Sequence, residues 1–405
     1  MRRDDRTDVA DDRALAALVT VPAPEQRAAV AAVTRRPVLD RTLRTAGYEL
    51  IFHGRTPPPA EWPQELVSGR HPLYVGIAPE LLLDNWPLPP HADNVLLELP
   101  AGVPVDERLL ARVREVRRQG FRLVLCDVGG RPGPEPLLEH VDAVKFDVMR
   151  LGHHETLAER ERLDGLGVRM LVEGVDSADA FEVFSDAGFD LFQGLFYERP
   201  RLPPAAVLPV DHAVAFGALC ELQLHGGDFE ALEQVIRRDV ALSFRLLRYV
   251  NSSYVGHQRR IGSIREALTV LGTRAVRQWA IALILTGLEE RPHALLSTAL
   301  VRARTCELIL ATYDKEVASH GFTAGLFSLL DAILDAPMEQ ILADLPLADE
   351  IAMAITSHEG VAGKALAKAI AFERGEFESP ILAGPGRSAL TVAYTDAVRW
   401  ADALL

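Results

Sequence analysis

The stretch Val168-Arg-Met-Leu-Val-Glu-Gly-Val-Asp176 decides the fold when it is set beside Phe192-Gln-Gly-Leu-Phe-Tyr-Glu-Arg-Pro200. Each opens as a short apolar run and ends in polar residues beside a glycine. In a closed α/β barrel the strands are buried and their C-terminal ends meet at one mouth, where chemistry happens. Glu173 and Gln193 are expected at that mouth. Runs of the same kind precede them at Arg36–Asp40, Gly47–Phe52, Leu73–Ile77, Asn94–Leu99, Phe121–Cys126 and Ala143–Asp147, and Leu191–Gln193 supplies the last. Helical patterns lie between several of them, clearest in Val105–Gln119, where Leu109, Leu110, Val113 and Val116 share a face. Strands alternating with helices predict a mainly parallel sheet covered on its outside. A barrel of this type usually takes ~250 residues, so some crossovers must be trimmed. The Pro-rich segment Arg55–Pro63 is expected to be one of them.

Beyond Pro200-Arg-Leu-Pro-Pro204 the pattern is helical throughout. Ser263-Ile-Arg-Glu266 reads as a capping box opening a helix to Leu271, which Gly272 closes. Pro292 fits the first position of a helix running through Thr312, and Trp279–Leu285 is apolar on every face, as in a helix at the centre of a bundle. Further helices are expected near Phe322–Leu334, Leu347–Ser357 and Lys364–Arg374. The expected organisation is a charged, partly disordered lead-in over 1–32, a barrel over 33–205 and a helical domain over 206–405.

The chain of 405 residues is long enough for two cores, and its 48 % hydrophobic content is that of a globular protein. A net charge of −14, with no clustered run of Lys and Arg, argues against nucleic acid. Cys126, Cys220 and Cys306 lie far apart, which points to a reducing compartment and no structural zinc. The charged N-terminus has no apolar core of a secretory signal, and no stretch reaches the ~20 apolar residues that cross a bilayer; a cytoplasmic protein without a membrane partner is expected.

The first half resembles EAL domains, the phosphodiesterases that hydrolyse the second messenger cyclic di-GMP. Glu49 in Gly47-Tyr-Glu-Leu-Ile-Phe52 matches the namesake Glu of the family, Glu98 its second carboxylate, Asp127 the second Asp of its paired-Asp segment and Lys145 the Lys of its Lys-x-Asp strand. Glu173 and Gln193 complete the retained set. The resemblance implies a trimmed barrel and a two-metal hydrolytic ancestry, in which carboxylates hold cations ~4 Å apart. The departures are as informative. Gly76 stands where the family places a metal-binding Asn, Cys126 replaces the first Asp of the pair, His53 replaces an Arg that grips phosphate, and Ala101 replaces another Glu. A thiol is a poor substitute for a carboxylate on Mg²⁺ or Mn²⁺. We therefore expect no catalytic residues and no metal or other cofactor. If a metal were held, Glu49, Glu98, Asp127 and Glu173 would hold it, as Mg²⁺ or Mn²⁺, in a weak phosphodiesterase or a cyclic di-GMP receptor.

The second half resembles HDOD domains, helical modules related to HD phosphohydrolases, over Asp239–Tyr254, Ile261–Gly272 and Gly325–Leu334. HD enzymes hold metal with a His followed directly by an Asp, and the sequence contains no His-Asp dipeptide; Asp331 follows Leu330. The barrel-then-bundle order resembles bacterial EAL–HDOD signalling proteins as a whole. It implies a catalytically inactive regulator whose helical half binds a protein partner or a second copy of itself. The apolar terminal stretch Ala389–Leu405 must be covered by its own bundle or by that partner. Two strings read as decoys. Asp228 in Gly226-Gly-Asp-Phe229 most simply caps a helix, and His153-His154 reads as a solvated turn.

Overall fold

The computed structural model describes residues 32–54, 71–84, 87–88, 94–129, 135–201, 217, 220, 228–238, 243, 246–247, 249–251, 261–286, 291–311, 315–383 and 387–405. All but the last residue of the expected lead-in over 1–32, the Pro-rich crossover and residues 130–134 lie outside these residues. The chain divides into two compact units. One takes the described residues of Pro24–Arg199 together with Phe372–Glu378; the other takes those of Pro200–Ala371 and Ser379–Leu405.

The first unit is a closed eight-stranded barrel in sequence order. Its strands are β1 (Val33–Asp40), β2 (Thr45–Phe52), β3 (Leu73–Gly76), β4 (Val95–Pro100), β5 (Arg122–Cys126), β6 (Ala143–Asp147), β7 (Arg169–Glu173) and β8 (Leu191–Gln193). From β2 round to β8 every neighbour is parallel, whereas β1 runs antiparallel to both β2 and β8. The tight turn Arg41–Arg44 explains the reversal, because so short a connection can join only antiparallel strands. Asp40 holds that turn by accepting from the backbone of Thr42 and Arg44 at 2.8 and 3.0 Å.

Side chains alternate in and out along a strand, so two residues separate successive inward positions. Val38, Tyr74, Leu96, Val124, Ala143, Leu171 and Leu191 pack together as an apolar floor inside the barrel. Gly47 makes room for it, since a Cβ there would stand 2.7 Å from the Tyr74 ring. Outside lie helices α1 (Pro79–Leu83), α2 (Glu107–Arg118), α3 (Glu135–Leu138), α4 (Val148–Leu151), α5 (His153–Arg162) and α6 (Ala178–Asp186). On α2 the four residues Leu109, Leu110, Val113 and Val116 are the buried ones, and Asp106 caps it by accepting from Leu109 N. His153 and His154 open α5 instead of forming a turn, both exposed to solvent.

The helices of the second unit are α7 (Phe229–Arg238), α8 (Ile264–Leu271), α9 (Thr273–Thr286), α10 (His293–Leu310), α11 (Lys315–Phe327), α12 (Leu330–Leu334), α13 (Met338–Asp344) and α14 (Asp349–Ser357). α15 (Gly360–Glu373) ends in the short segment assigned to the barrel unit, and α16 (Arg387–Leu404) closes the chain. Asp228 caps α7 by accepting from Glu230 N and Ala231 N. Ser263 caps α8, and Glu266 reaches back to Gly262 N at 3.1 Å, one residue earlier than the expected box. Pro292 sits at the cap of α10 and not inside its first turn. Trp279, Ala280, Ile281 and Ala282 are buried, as a central helix requires. The single helix expected over 322–334 is two: α11 begins earlier, and the backbone leaves the helical region at Leu329, with φ −120° and ψ 15°. The terminal helix is covered within its own unit. Leu390, Ala393, Val398, Trp400 and Leu404 are buried, Trp400 packs edge-on against Phe322, and its indole donates to Tyr249 Oη at 3.2 Å.

Candidate functional site

Two residues past the apolar floor, each parallel strand presents its last inward position. These positions are Gly76, Glu98, Cys126, Lys145, Glu173 and Gln193, and β2 adds Glu49. Register places Glu98 beside Gly76 and Glu173 beside Gln193 on adjacent strands. A polar ring therefore lies on an apolar floor, at the C-terminal ends of the strands where barrels place their sites.

Lys145 is the hub. Its Nζ lies 2.9 Å from Glu49 Oε1, 2.9 Å from Glu173 Oε2 and 3.4 Å from Glu98 Oε1, and its side chain is 4 % exposed. Gln193 Nε2 donates to the other Glu49 oxygen at 2.7 Å. Burial alone would push the ammonium down, yet the three carboxylates hold its pKa well above the ordinary lysine value. Burial also raises Glu49, but Lys145 and the Gln193 amide more than offset it and leave that carboxyl below its usual range. Glu98 goes the other way. Burial first, then the charges of Glu49 and Glu173, push it up to about 8. Burial and the Glu49 charge raise Glu173 as well, against the pull of Lys145. One ammonium cannot neutralise three crowded carboxylates, so at neutral pH the deepest of them keeps its proton.

The other candidates fall elsewhere. Asp127 was expected in the mouth with Lys145 as its nearest cation; instead it takes a left-handed backbone, φ 59°, and turns half-exposed toward Arg150, whose Nε is 3.6 Å from its carboxylate. Arg150 also donates to Asp127 O at 2.8 Å. Cys126 faces the ring, and burial followed by the Glu98 charge raises its thiol well above the ordinary value, so the sulfur stays protonated. Gly76 leaves open space, with nothing within 4 Å of a Cβ built there. Ala101 lies in the turn after β4, its N–H donating to Cys126 O at 2.7 Å. His53 stacks edge-on with Phe377 at 5.4 Å, and its Nδ1 is 3.5 Å from Glu378. Asp147 caps α4, accepting from Met149 N and Arg150 N.

Two contributors are missing from the sequence reading. Arg36 stands opposite Glu49 in the register and helps hold it ionised. Its signal was there, since it lies two residues from the inward Val38 on β1. Arg150 follows the Lys-x-Asp strand by three residues and captures Asp127. The donor set does not fit a pair of divalent cations. Gly76 offers no side-chain ligand atom, Cys126 a soft sulfur in place of a hard carboxylate oxygen, and Asp127 pairs with Arg150. Among the described residues no group of three or more His, Cys, Asp or Glu is placed to hold a metal ion. No described helix is long and apolar enough to cross a membrane.

Residues 208–338 match the family model of the HDOD domain. The cyclic di-GMP phosphodiesterase CdgJ of Vibrio cholerae is 29 % identical over 371 residues, covering 85 % of this chain and 85 % of that protein. The uncharacterized protein YuxH of Bacillus subtilis is 27 % identical over 305 residues, covering 73 % of this chain and 74 % of its own length. Among solved structures, an EAL domain protein from Listeria monocytogenes is similar over 49 % of this chain and 94 % of its own, at 14 % identity and a TM-score of 0.35. The EAL domain of Mycobacterium smegmatis DcpA is similar over 40 % of this chain and 89 % of its own, at 18 % identity and a TM-score of 0.34. The chain is an EAL-like barrel followed by a helical region that contains an HDOD domain.

Proposed function

We propose that this is a regulatory protein of cyclic di-GMP signalling that does not hydrolyse the nucleotide and acts through protein contacts made by its HDOD region. The observation that carries the first part is the make-up of the barrel ring. Gly76 and Cys126 interrupt the oxygen ligands, and the three remaining inward glutamates close on Lys145. Two-metal hydrolysis needs carboxylates free to bridge cations. What these residues do instead is hold a proton on Glu98 and an ammonium on Lys145 inside a largely buried ring. The second part rests on chemistry: the sequence has no His-Asp pair for HD-type hydrolysis, and its net charge of −14 disfavours nucleic acid.

The retained Glu49, Glu98, Glu173 and Lys145, with the name that the Vibrio cholerae relative carries, favour a second reading. In it the barrel is a cyclic di-GMP receptor or a weak phosphodiesterase using Mg²⁺ or Mn²⁺. Calorimetric titration of cyclic di-GMP into the full chain with Mn²⁺, following product in the same samples, separates the readings. The proposal expects neither saturable heat nor linear dinucleotide. Heat without product would make the barrel a receptor, and product would make it an enzyme.

A further inference from the structure

The helical unit carries a cluster of guanidinium groups remote in sequence from the barrel ring. Glu307 on α10, 6 % exposed, accepts from Arg274 Nη2 at 2.9 Å and Gln278 Nε2 at 3.2 Å through Oε1, and pairs with Arg304 through Oε2. Arg277 stands one turn beyond Arg274 on α9, and no carboxylate of the described residues reaches it. Its Nη2 donates to Ser319 Oγ on α11 at a long 3.4 Å, while its Nε is sealed from solvent without an acceptor. Burial, then the charge of Arg274, bring its pKa down. A guanidinium nevertheless stays charged in a protein. Arg277 is thus a partly buried cation beside a like charge, aimed at a hydroxyl that cannot neutralise it. A buried charge is retained at such cost when something pairs with it.

We infer that Arg277, Arg274 and Ser319 form a binding site for a phosphate group, either the free ion or the ester of a small molecule. A phosphate brings three or more acceptor oxygens and nearly two negative charges, so one group can meet two guanidiniums and a serine hydroxyl together. A carboxylate brings two oxygens and one negative charge, so it offers this pair of guanidiniums and the hydroxyl less charge and fewer acceptor atoms than a phosphate does. The site lies within the residues that match the HDOD model and requires no metal.

The test is thermal unfolding of the full chain in inorganic phosphate, glycerol 2-phosphate or acetate, with chloride holding ionic strength constant. Phosphate should raise the midpoint saturably and acetate should not. Arg277→Gln should abolish the rise while unfolding no earlier than the parent in chloride, because it removes a charge that no carboxylate of the described residues meets. Ser319→Ala should weaken binding roughly ten-fold, and the exposed Arg399→Gln should respond as the parent does. A response to glycerol 2-phosphate identifies an ester as ligand, and a response to inorganic phosphate alone identifies the free ion; both support the site. No phosphate-specific rise, or a rise that survives Arg277→Gln, overturns it. So does an Arg277→Gln protein that is destabilised in chloride, which would make the guanidinium a structural brace.

Discussion

A single ammonium, 4 % exposed, faces three carboxylates at the barrel mouth, and its neighbours divide the electrostatic cost unequally. Glu49, with Gln193 and Arg36 assisting Lys145, stays ionised; Glu98, the deepest, holds its proton to about 8. A carboxyl whose pKa is raised on folding takes up a proton as the chain folds. Its contribution is complete below the unfolded value near 4.5 and disappears as pH climbs through about 8. The melting temperature should therefore fall between pH 5.5 and pH 8.5, and Glu98→Gln, which keeps the neutral shape, should flatten that fall. An unchanged slope in the variant would place the proton elsewhere. Lys145→Met should be more damaging. It leaves the buried carboxylates without their cation, at a cost of about 3–5 kcal/mol. Denaturant unfolding should show the larger loss at pH 8 and a smaller one at pH 5, where the glutamates can take protons. Glu173 and Gln193 were legible as polar ends of apolar strand runs, and Glu49, Glu98 and Lys145 through the resemblance to EAL domains. The departure of Asp127 was not, because nothing in Cys126-Asp127-Val128 announces a left-handed backbone at a non-glycine position.

Strands and helices differed in how far their limits could be read. All eight strands fall within a few residues of the runs that predicted them, since a continuously buried apolar run and a polar residue at the mouth mark both course and end in most of them. The helical half gave its capped starts, at Ser263 and Asp228, and lost its breaks. The apolar run through Phe327 and Leu330 continues across Ser328, so nothing in the pattern marks the break at Leu329, where the backbone leaves the helical region. Gly325 itself shows tertiary packing overriding propensity. In an isolated helix Gly→Ala stabilises by about 1 kcal/mol. Here a Cβ would stand 2.6 Å from Ala303 Cα on α10, against backbone that cannot rotate away. Gly325→Ala should accordingly destabilise, by about 1–3 kcal/mol or more. Equal or greater stability in chemical unfolding would show that the two helices can separate without loss. The terminal helix, whose apolar residues left two readings open in the sequence, is covered inside its own unit. It offers no apolar face to a partner, so partner contacts proposed for the HDOD region must lie on other surfaces.

For the molecule as a whole, the order barrel then helical region was legible from the switch in periodicity at Pro200–Pro204, and the site from strand ends that a folded barrel must bring together. The acidic net charge of −14 and the carboxylate-rich ring agree in sign, and both oppose a dianionic nucleotide unless metal intervenes. Gly76 is open to a side chain and Cys126 faces the ring, so the proposed lack of turnover rests on these two positions more than on the preserved glutamates. The decisive measurement is the appearance of linear dinucleotide when the purified full chain is incubated with cyclic di-GMP and saturating Mg²⁺ or Mn²⁺. The account predicts none above the no-protein background with either metal. Metal-dependent product that disappears in Glu49→Ala would contradict it.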